Sequence, residues 1–213
     1  MDVTIAGGHG RIGLMLGAML AERGDRVRGL IRNPEQAGDL ADAGVEAVIC
    51  DLEGDDDVAA AVDGADAVVF AAGAGPGSGA ERKRTMDLGG AVKLIAAAKE
   101  AGVRRYLMIS SMGAGSPPAE GGDVFGEYLR AKAAADRALE ESGLDYTIIR
   151  PGGLTDDPPS GRVSVGADLP RAQIPRADVA ATLAASLTSE NTVGKTFELR
   201  SGETPIEDAL DSL

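Results

Sequence analysis

The chain has 213 residues, 44% of them hydrophobic, and a formal net charge of −13 at pH 7. This length suits one domain, and so negative a surface argues against binding nucleic acid or anionic membranes. One cysteine excludes an intrachain disulfide, and one histidine leaves too few soft ligands for a structural zinc site, so we expect no metal. With no apolar run that could span a membrane and no basic region before an apolar stretch, we expect a cytoplasmic protein, monomeric or homodimeric.

Short β-branched runs alternate with Ala-rich stretches along the chain. The predicted strands are Val3–Ala6, Arg26–Ile31, Glu46–Cys50, Ala67–Ala71, Arg105–Ser110, Tyr146–Arg150 and Thr196–Arg200. The predicted helices are Arg11–Arg23, Pro34–Ala43, Asp55–Val62, Arg82–Ala101, Glu127–Ser142, Arg176–Thr188 and a terminal one near Pro205–Leu213. Strands that are apolar on both faces and alternate with helices predict a doubly wound parallel α/β sheet, the Rossmann fold.

We expect a single domain over residues 1–213, in which residues 151–195 supply the substrate-side loops. The stretch Gly152–Pro170 is the richest in Pro, Gly and Asp and is predicted to be a loop.

The glycines Gly7, Gly10 and Gly13 follow the first strand at once and lead into an apolar helix. In a phosphate-binding turn, Gly7 would allow the tight turn, Gly10 would let backbone N–H groups approach a pyrophosphate, and Gly13 would let the helix pack closely. The alternative is a strand–helix turn without a ligand. His9 lies in this turn and is expected to be a spacer rather than a base.

A second candidate for phosphate binding, Gly194-Lys195-Thr196, resembles the end of a P-loop. It lacks the leading glycine and enters a strand rather than a helix, so we reject it.

The end of the second strand bears on the choice of dinucleotide. NAD sites usually place an acid there for the ribose hydroxyls, but this chain has Arg32 followed by Asn33. Arg32, helped by Arg11, would pair with a 2′-phosphate, which favours NADP over NAD. A surface arginine without a ligand is the simpler alternative.

Tyr128 has a lysine four residues later, Lys132, on the same face of a predicted helix. An ammonium group beside a phenol favours the phenolate and so suits proton transfer. The fifth strand ends in Ser110-Ser111, at the sheet edge where ligands bind in such folds, and either serine could hold a substrate oxygen. An exposed Tyr–Lys pair and a polar strand end are the structural alternatives.

Several segments together resemble a known family, the atypical or extended-like short-chain dehydrogenases/reductases, also called NAD(P)-dependent epimerase/dehydratase or NmrA-like proteins. The resemblance covers nearly the whole chain and rests on these segments: GGHGRIG, LIRNPEQ, CDLEGD, VVFAAGAGPG, YLMISSMGA, YLRAK, DYTIIRPGGL and IPRADVA.

The resemblance implies a cofactor site along the glycine turn and six later positions or short segments. Its implied residues are Gly7, Gly8, His9, Gly10, Arg11, Ile12, Gly13, Arg32, Asn33, Asp51, Leu52, Ala71, Ala72, Gly73, Ser110, Lys132, Pro151, Gly152 and Leu154. Asp51 and Leu52 would flank the adenine, and Pro151, Gly152 and Leu154 would lie beside the nicotinamide. Ser111, Tyr128 and Lys132 would form the catalytic set, with Ser110 competing for the serine role and Lys132 also binding the nicotinamide ribose.

Three functions remain open at this stage. The first is an NADP-dependent oxidoreductase acting on a small carbonyl or quinone-like substrate. The second is a nucleotide-sugar epimerase or dehydratase, for which little more than sixty residues after Arg150 leave a small substrate region. The third is a redox sensor without enzymatic activity, which would not need the Tyr–Lys pair.

Overall fold

A nine-stranded sheet lies at the centre of the computed structural model, which describes residues 1–75, 77–119 and 123–213. The strands in these ranges are β1 Asp2–Ala6, β2 Arg26–Ile31, β3 Glu46–Ile49, β4 Ala67–Phe70, β5 Arg105–Ile109, β6 Asp145–Pro151, β7 Gly153–Thr155, β8 Arg162–Gly166, β9 Gln173–Pro175, β10 Lys195–Ser201 and β11 Thr204–Pro205. The order across the sheet is β11-β8-β10-β6-β5-β4-β1-β2-β3. From β3 to β10 all neighbours are parallel, so the doubly wound α/β prediction is confirmed.

The α-helices in the described residues are α1 Arg11–Glu22, α2 Ala37–Asp42, α3 Val58–Val62, α4 Ala80–Arg82, α5 Ala91–Glu100, α6 Val124–Glu140, α7 Arg176–Ser186 and α8 Ile206–Asp211. They cover both faces of the sheet. In β4, for example, Ala67 and Val69 pack into one apolar cluster, whereas Val68 and Phe70 pack into the other. All four are fully buried, which explains why the strands are apolar without alternation. Within the described residues, no helix combines the length and the apolarity needed to cross a membrane.

The prediction of a loop over Gly152–Pro170 is wrong. This stretch contains β7, which pairs with β9, and β8, which lies antiparallel to β10 and is the second strand from one edge of the main sheet. Val163 in β8 is fully buried. The alternation of apolar and polar residues that marks β8 is only a few residues long and lies among turn-forming residues.

The prediction of one continuous helix over Arg82–Ala101 is also wrong. After the single turn of α4, residues Lys83–Gly90 form a π-helix, and α5 begins only at Ala91. A π-helix makes i→i+5 hydrogen bonds, is rare, and is often found at functional sites. Composition gives no signal that separates it from an α-helix.

The order of the strands reverses between β1 and β4, which are neighbours in the sheet. Ligands of doubly wound folds bind beyond the carboxyl ends of the strands at such a point. Gly7 follows β1 and Ala71 follows β4, and the Ala71 N–H donates to the carbonyl oxygen of Ala6 at 2.9 Å. The glycine turn therefore lies at the position where the fold places its ligand.

Candidate functional site

Two of the three glycines in the GxxGxxG spacing, Gly7 and Gly13, have no room for a side chain. Gly7 has a φ of 81°, and a Cβ built on it would lie 2.7 Å from the Cα of Ala72. A Cβ on Gly13 would lie 2.3 Å from the carbonyl oxygen of Gly7. These glycines allow the tight turn and the close approach of α1, the structural roles that the sequence suggested for them.

Gly10 differs because the protein itself nearly accommodates a side chain there. Its Cβ would lie 3.1 Å from the Gly7 carbonyl oxygen and 4.0 Å from that of Ala71. Gly10 is the N-cap of α1, whose first turn has neither a side-chain cap nor an acidic residue, whereas Asp57 and Asp123 cap α3 and α6. Unpaired N–H groups at a helix N-terminus attract anions, so this turn fits a dinucleotide pyrophosphate.

A cavity of about 270 Å³, here named the turn cavity, opens beside Gly7 and Gly10. It brings the turn together with the ends of β2, β3 and β4. Its lining residues are Gly7, His9, Gly10, Leu30, Ile31, Arg32, Gln36, Cys50, Asp51, Leu52, Ala71, Ala72, Gly73, Arg82 and Met86.

Two arginines and a glutamate form a charged cluster at the turn cavity. Arg32 Nη1 lies 3.5 Å from Glu53 Oε2, and Arg82 Nη2 lies 3.2 Å from the same oxygen. The Thr85 hydroxyl donates to the other carboxylate oxygen of Glu53 at 2.6 Å. Since one carboxylate is shared by two guanidinium groups, the cluster keeps one positive charge for an anionic ligand.

Arg11 and Asn33 use their side chains on protein partners instead. Arg11 pairs with Asp156, which also accepts from Arg176 at 2.7 Å, and the hydrogen bond from Arg11 lowers the pKa of Asp156. Asn33 caps the short 3₁₀-helix Pro34–Gln36 by accepting a backbone N–H at 3.1 Å. Neither Arg11 nor Asn33 lines the turn cavity, so Arg82 is the arginine that joins Arg32 there.

His9 and Cys50 also line the turn cavity. His9 Nε2 lies 2.7 Å from a carboxylate oxygen of Asp39. Burial raises the pKa of the Cys50 thiol, which therefore favours its neutral form.

A second cavity of about 680 Å³, here named the tyrosine cavity, adjoins the first. Ala71, Ala72 and Gly73 line both cavities, so one elongated ligand can occupy the two together. The lining residues of the tyrosine cavity are Ile12, Ala71, Ala72, Gly73, Ala74, Gly75, Gly77, Ser78, Lys83, Asp87, Ile109, Ser110, Val124, Phe125, Tyr128 and Lys132.

Lys132 is held inside the protein by two partners. Only 3% of the residue is exposed, and its Nζ donates to the Ile109 carbonyl oxygen at 3.0 Å. The same Nζ lies 3.4 Å from Asp87 Oδ1, and Asp87, from the π-helix, is 1% exposed. The other Asp87 oxygen accepts the Ala74 N–H at 3.3 Å. The ammonium position is thus fixed by β5, α6 and the π-helix together.

Tyr128 lies between two lysines and a phenylalanine. The Nζ of Lys132 is 5.9 Å from the centroid of its ring, and the Nζ of Lys83 is 5.2 Å away. The Phe125 ring lies 5.9 Å from the Tyr128 ring, centroid to centroid, at an angle of 33°. The tyrosine therefore combines an apolar neighbour with two nearby positive charges.

Of the two candidate serines, Ser110 lines the tyrosine cavity and Ser111 does not. Ser110 is buried, and its hydroxyl donates to Asp136 Oδ2 at 2.9 Å. Arg150 Nε donates to the same oxygen at 2.9 Å. Burial raises the pKa of Asp136, and the hydrogen bonds from Ser110 and Arg150 oppose that rise. Ser111 instead directs its hydroxyl toward the Met112 carbonyl oxygen at 3.4 Å.

Comparison with known proteins gives the family. A family model described as NAD(P)H-binding matches residues 7–190. The chain belongs to this NAD(P)H-binding family. The match begins at the first glycine of the turn and includes the lining of both cavities, so the family assignment and the geometry concern the same part of the molecule.

Relatives of the NAD(P)H-binding chain carry two kinds of name. The protein YhfK of Bacillus subtilis (strain 168), named an uncharacterized sugar epimerase, is 43% identical over 215 residues, covering 100% of both chains. A solved structure from Bacillus halodurans, provisionally named an NAD-dependent epimerase/dehydratase, has a TM-score of 0.94 at 38% identity and covers 100% of both chains. The oxidoreductase YlbE of Lactococcus lactis has a TM-score of 0.86 at 31% identity, covering 100% of this chain and 96% of that one.

Several residues expected at the NAD(P)H site do not line either cavity. They are Gly8, Arg11, Gly13, Asn33, Ser111, Pro151, Gly152 and Leu154. Gly152 has a packing reason to be glycine, because its Cβ would lie 2.1 Å from the Ala172 carbonyl oxygen. The other expected residues line the turn cavity, the tyrosine cavity or both.

Three residues that line the cavities were not predicted from the sequence: Arg82 of α4, and Lys83 and Asp87 of the π-helix. Asp136 was also not predicted, although this residue lies four positions after Lys132, as Lys132 lies four after Tyr128. That spacing was the available signal, since residues at i, i+4 and i+8 share a helix face.

Proposed function

We propose that this chain is an NADPH-dependent reductase of small carbonyl or quinone-like compounds. The observation that carries the proposal is the composition of the tyrosine cavity, which Tyr128, Lys132 and Ser110 line together with the wall shared with the turn cavity. A proton donor, a fixed ammonium group and a serine hydroxyl next to a dinucleotide site are the groups that carbonyl reduction requires.

In the proposed reaction, Tyr128 donates its phenolic proton to the carbonyl oxygen. Bound NADPH would supply the hydride for the carbonyl carbon, which would convert the carbonyl to an alcohol and leave NADP⁺. The phenolate recovers its proton from solvent. The ammonium of Lys132, 5.9 Å from the ring centroid, stabilises the negative charge in the meantime.

We assign the serine role to Ser110 rather than Ser111, because Ser110 lines the cavity. Ser110 orients the carbonyl oxygen by redirecting to it the hydrogen bond that it gives to Asp136. Before substrate binds, Asp136 accepts the hydrogen bond of this serine and Arg150 holds Asp136, and neither residue lines the cavity.

The preference for NADPH over NADH rests on Arg32 and Arg82. Both line the turn cavity, and a 2′-phosphate would pair with their guanidinium groups in place of Glu53. Glu53 opposes this preference, because its carboxylate repels the phosphate and would accept a hydrogen bond from a ribose hydroxyl of NADH.

A second candidate, a nucleotide-sugar epimerase, is favoured by the name of the relative at 43% identity. Epimerisation would use the same tyrosine first as base and then as acid, and it would return the cofactor unchanged. The two functions differ in whether the reduced cofactor is consumed.

The test measures NADPH consumption with a panel of aldehydes, ketones and quinones, and epimerisation of nucleotide sugars with NADP⁺ or NAD⁺. Tyr128→Phe should lower carbonyl reduction by roughly 10²–10⁴-fold, because a positioned general acid is lost. Its affinity for NADPH should stay within about twofold, because the phenol acts on the substrate. Epimerisation without carbonyl reduction would replace the proposal by the second candidate. Carbonyl reduction that survives in Tyr128→Phe would contradict the role of this tyrosine.

A further inference from the structure

The tyrosine cavity is positively charged in a protein of net charge −13. Its charged lining residues are Lys83, Lys132 and Asp87, which sum to one positive charge among the described residues. Asp87 already pairs with Lys132 at 3.4 Å. The excess charge therefore belongs to Lys83.

Lys83 has no carboxylate within salt-bridge distance among residues 1–75, 77–119 and 123–213. It is half-buried, and its Nζ donates to one backbone oxygen, that of Gly75, at 3.1 Å. An ammonium group has three protons to donate, so Lys83 retains capacity for a ligand. Its Nζ lies 5.2 Å from the centroid of the Tyr128 ring, beside the proton donor of the proposed function.

The same cavity offers an apolar surface beside this charge. Val124 is 48% exposed and Phe125 is 50% exposed, and both line the cavity at the start of α6. The Phe125 and Tyr128 rings lie close enough to contact a flat ligand together. Exposed apolar side chains at a cavity commonly mark a ligand-binding surface.

We propose that the substrate carries a carboxylate on a flat apolar body and that Lys83 binds this carboxylate. One excess positive charge matches a monoanion, whereas a phosphate dianion is usually held by arginine forks and backbone N–H groups. The carboxylate would lie at Lys83, the ring against Phe125, and the carbonyl oxygen at Tyr128. The proposal rests on the proposed function for the identity of the reacting carbonyl, but its binding step requires no turnover.

The experiment compares 4-formylbenzoate with its methyl ester, which differ in the negative charge and share the ring and the aldehyde. Binding to the complex with NADP⁺ is measured by calorimetry, so that no reduction takes place. The wild type should bind the carboxylate roughly tenfold more tightly than the ester, the usual effect of one charge-assisted hydrogen bond. Lys83→Met should bind the two alike, and Lys83→Arg should keep most of the preference.

Lys93→Met is the matched control. Lys93 is also half-buried and also donates to a backbone oxygen, that of Gly54 at 2.7 Å, but it does not line the tyrosine cavity. This variant should retain the full preference for the carboxylate.

Three results would overturn the proposal. The first is equal binding of the two probes by the wild type, and the second is a preference for the carboxylate over the ester that persists in Lys83→Met. The third is a loss of NADPH affinity in Lys83→Met when no probe is present, which would assign Lys83 to the cofactor. The protein could also show a Lys83-dependent preference for the carboxylate and yet reduce no carbonyl. That result would contradict the proposed reaction but support the carboxylate-binding site.

Discussion

The turn cavity and the tyrosine cavity share one wall, yet the charged groups that form ion pairs in them differ in exposure. At the turn cavity, the side chains of Arg32, Arg82 and Glu53 are 53%, 36% and 20% exposed. At the tyrosine cavity, those of Lys132 and Asp87 are 4% and 1% exposed. Exposed charges can exchange partners with a ligand at little cost, whereas buried charges must stay paired. The first arrangement suits selection between cofactors, and the second suits a fixed catalytic geometry.

The largest effect should follow from breaking the buried pair. Asp87→Ala leaves the Lys132 ammonium without its carboxylate and should lower the free energy of unfolding by about 3–5 kcal/mol. Denaturant unfolding measures this loss. The double variant Asp87→Leu with Lys132→Met should recover much of the stability but no carbonyl reduction. If Asp87→Ala unfolds like the wild type, the pair has no structural role.

The glycine turn gives the next effect, on cofactor binding. Gly10→Ala should reduce NADPH affinity by at least tenfold, because the methyl group occupies space near the pyrophosphate, while the melting temperature changes little. Gly13→Ala is the contrasting control and should lower the melting temperature, because its Cβ would lie 2.3 Å from a backbone oxygen. Titration of NADPH fluorescence and thermal unfolding separate the two. Normal NADPH binding by Gly10→Ala would remove Gly10 from the phosphate site.

Substitutions in the charged cluster of Arg32, Arg82 and Glu53 should change the ratio of NADPH to NADH affinity by a smaller factor. Arg82→Ala should reduce the ratio of NADPH to NADH affinity by roughly five- to tenfold, and Glu53→Gln should raise it by a few-fold. Arg84→Ala is a matched control, because Arg84 is exposed and pairs with Glu127 instead. The two substitutions, Arg82→Ala and Glu53→Gln, must change this affinity ratio in opposite directions. An unchanged ratio in both would show that the cluster does not contact the 2′-phosphate.

Salt should produce the smallest effect and should act on the exposed cluster of Arg32, Arg82 and Glu53 rather than on the buried pair of Lys132 and Asp87. The NADPH preference should decrease by a few-fold between about 0.05 M and 0.5 M KCl, because exposed charge pairs are screened. The stability difference between wild type and Asp87→Ala should stay nearly constant over the same range, since that pair is buried. Equal salt sensitivity of the two quantities would contradict the contrast between the cavities.

The sequence predicted the parts of the molecule that local spacing determines. The parallel strands, the glycine turn and the Tyr128–Lys132 pair follow from short-range patterns, and the structure brings the turn and the pair to adjoining cavities. Lys83 and Asp87 were missed because they reach the site on a π-helix, whose hydrogen bonding depends on tertiary packing, and Arg82 was missed because it ends the single turn of α4 directly before that π-helix. The strands β7 and β8 were missed because a brief alternation within a Pro- and Gly-rich stretch carries little signal.

The π-helix also has a consequence for the evolution of proteins that share this fold. A segment with i→i+5 hydrogen bonds accommodates one residue more than the α-helix that would connect the same two ends. Loss of a single codon in Lys83–Gly90 would therefore restore α-helical geometry without interrupting the chain. A deletion between Lys83 and Asp87 would also change the positions of these two residues relative to each other, so the buried pair and the carboxylate-binding lysine could not both keep their places. Insertions and deletions of one residue here would change substrate preference while the Tyr-x-x-x-Lys pattern stayed intact.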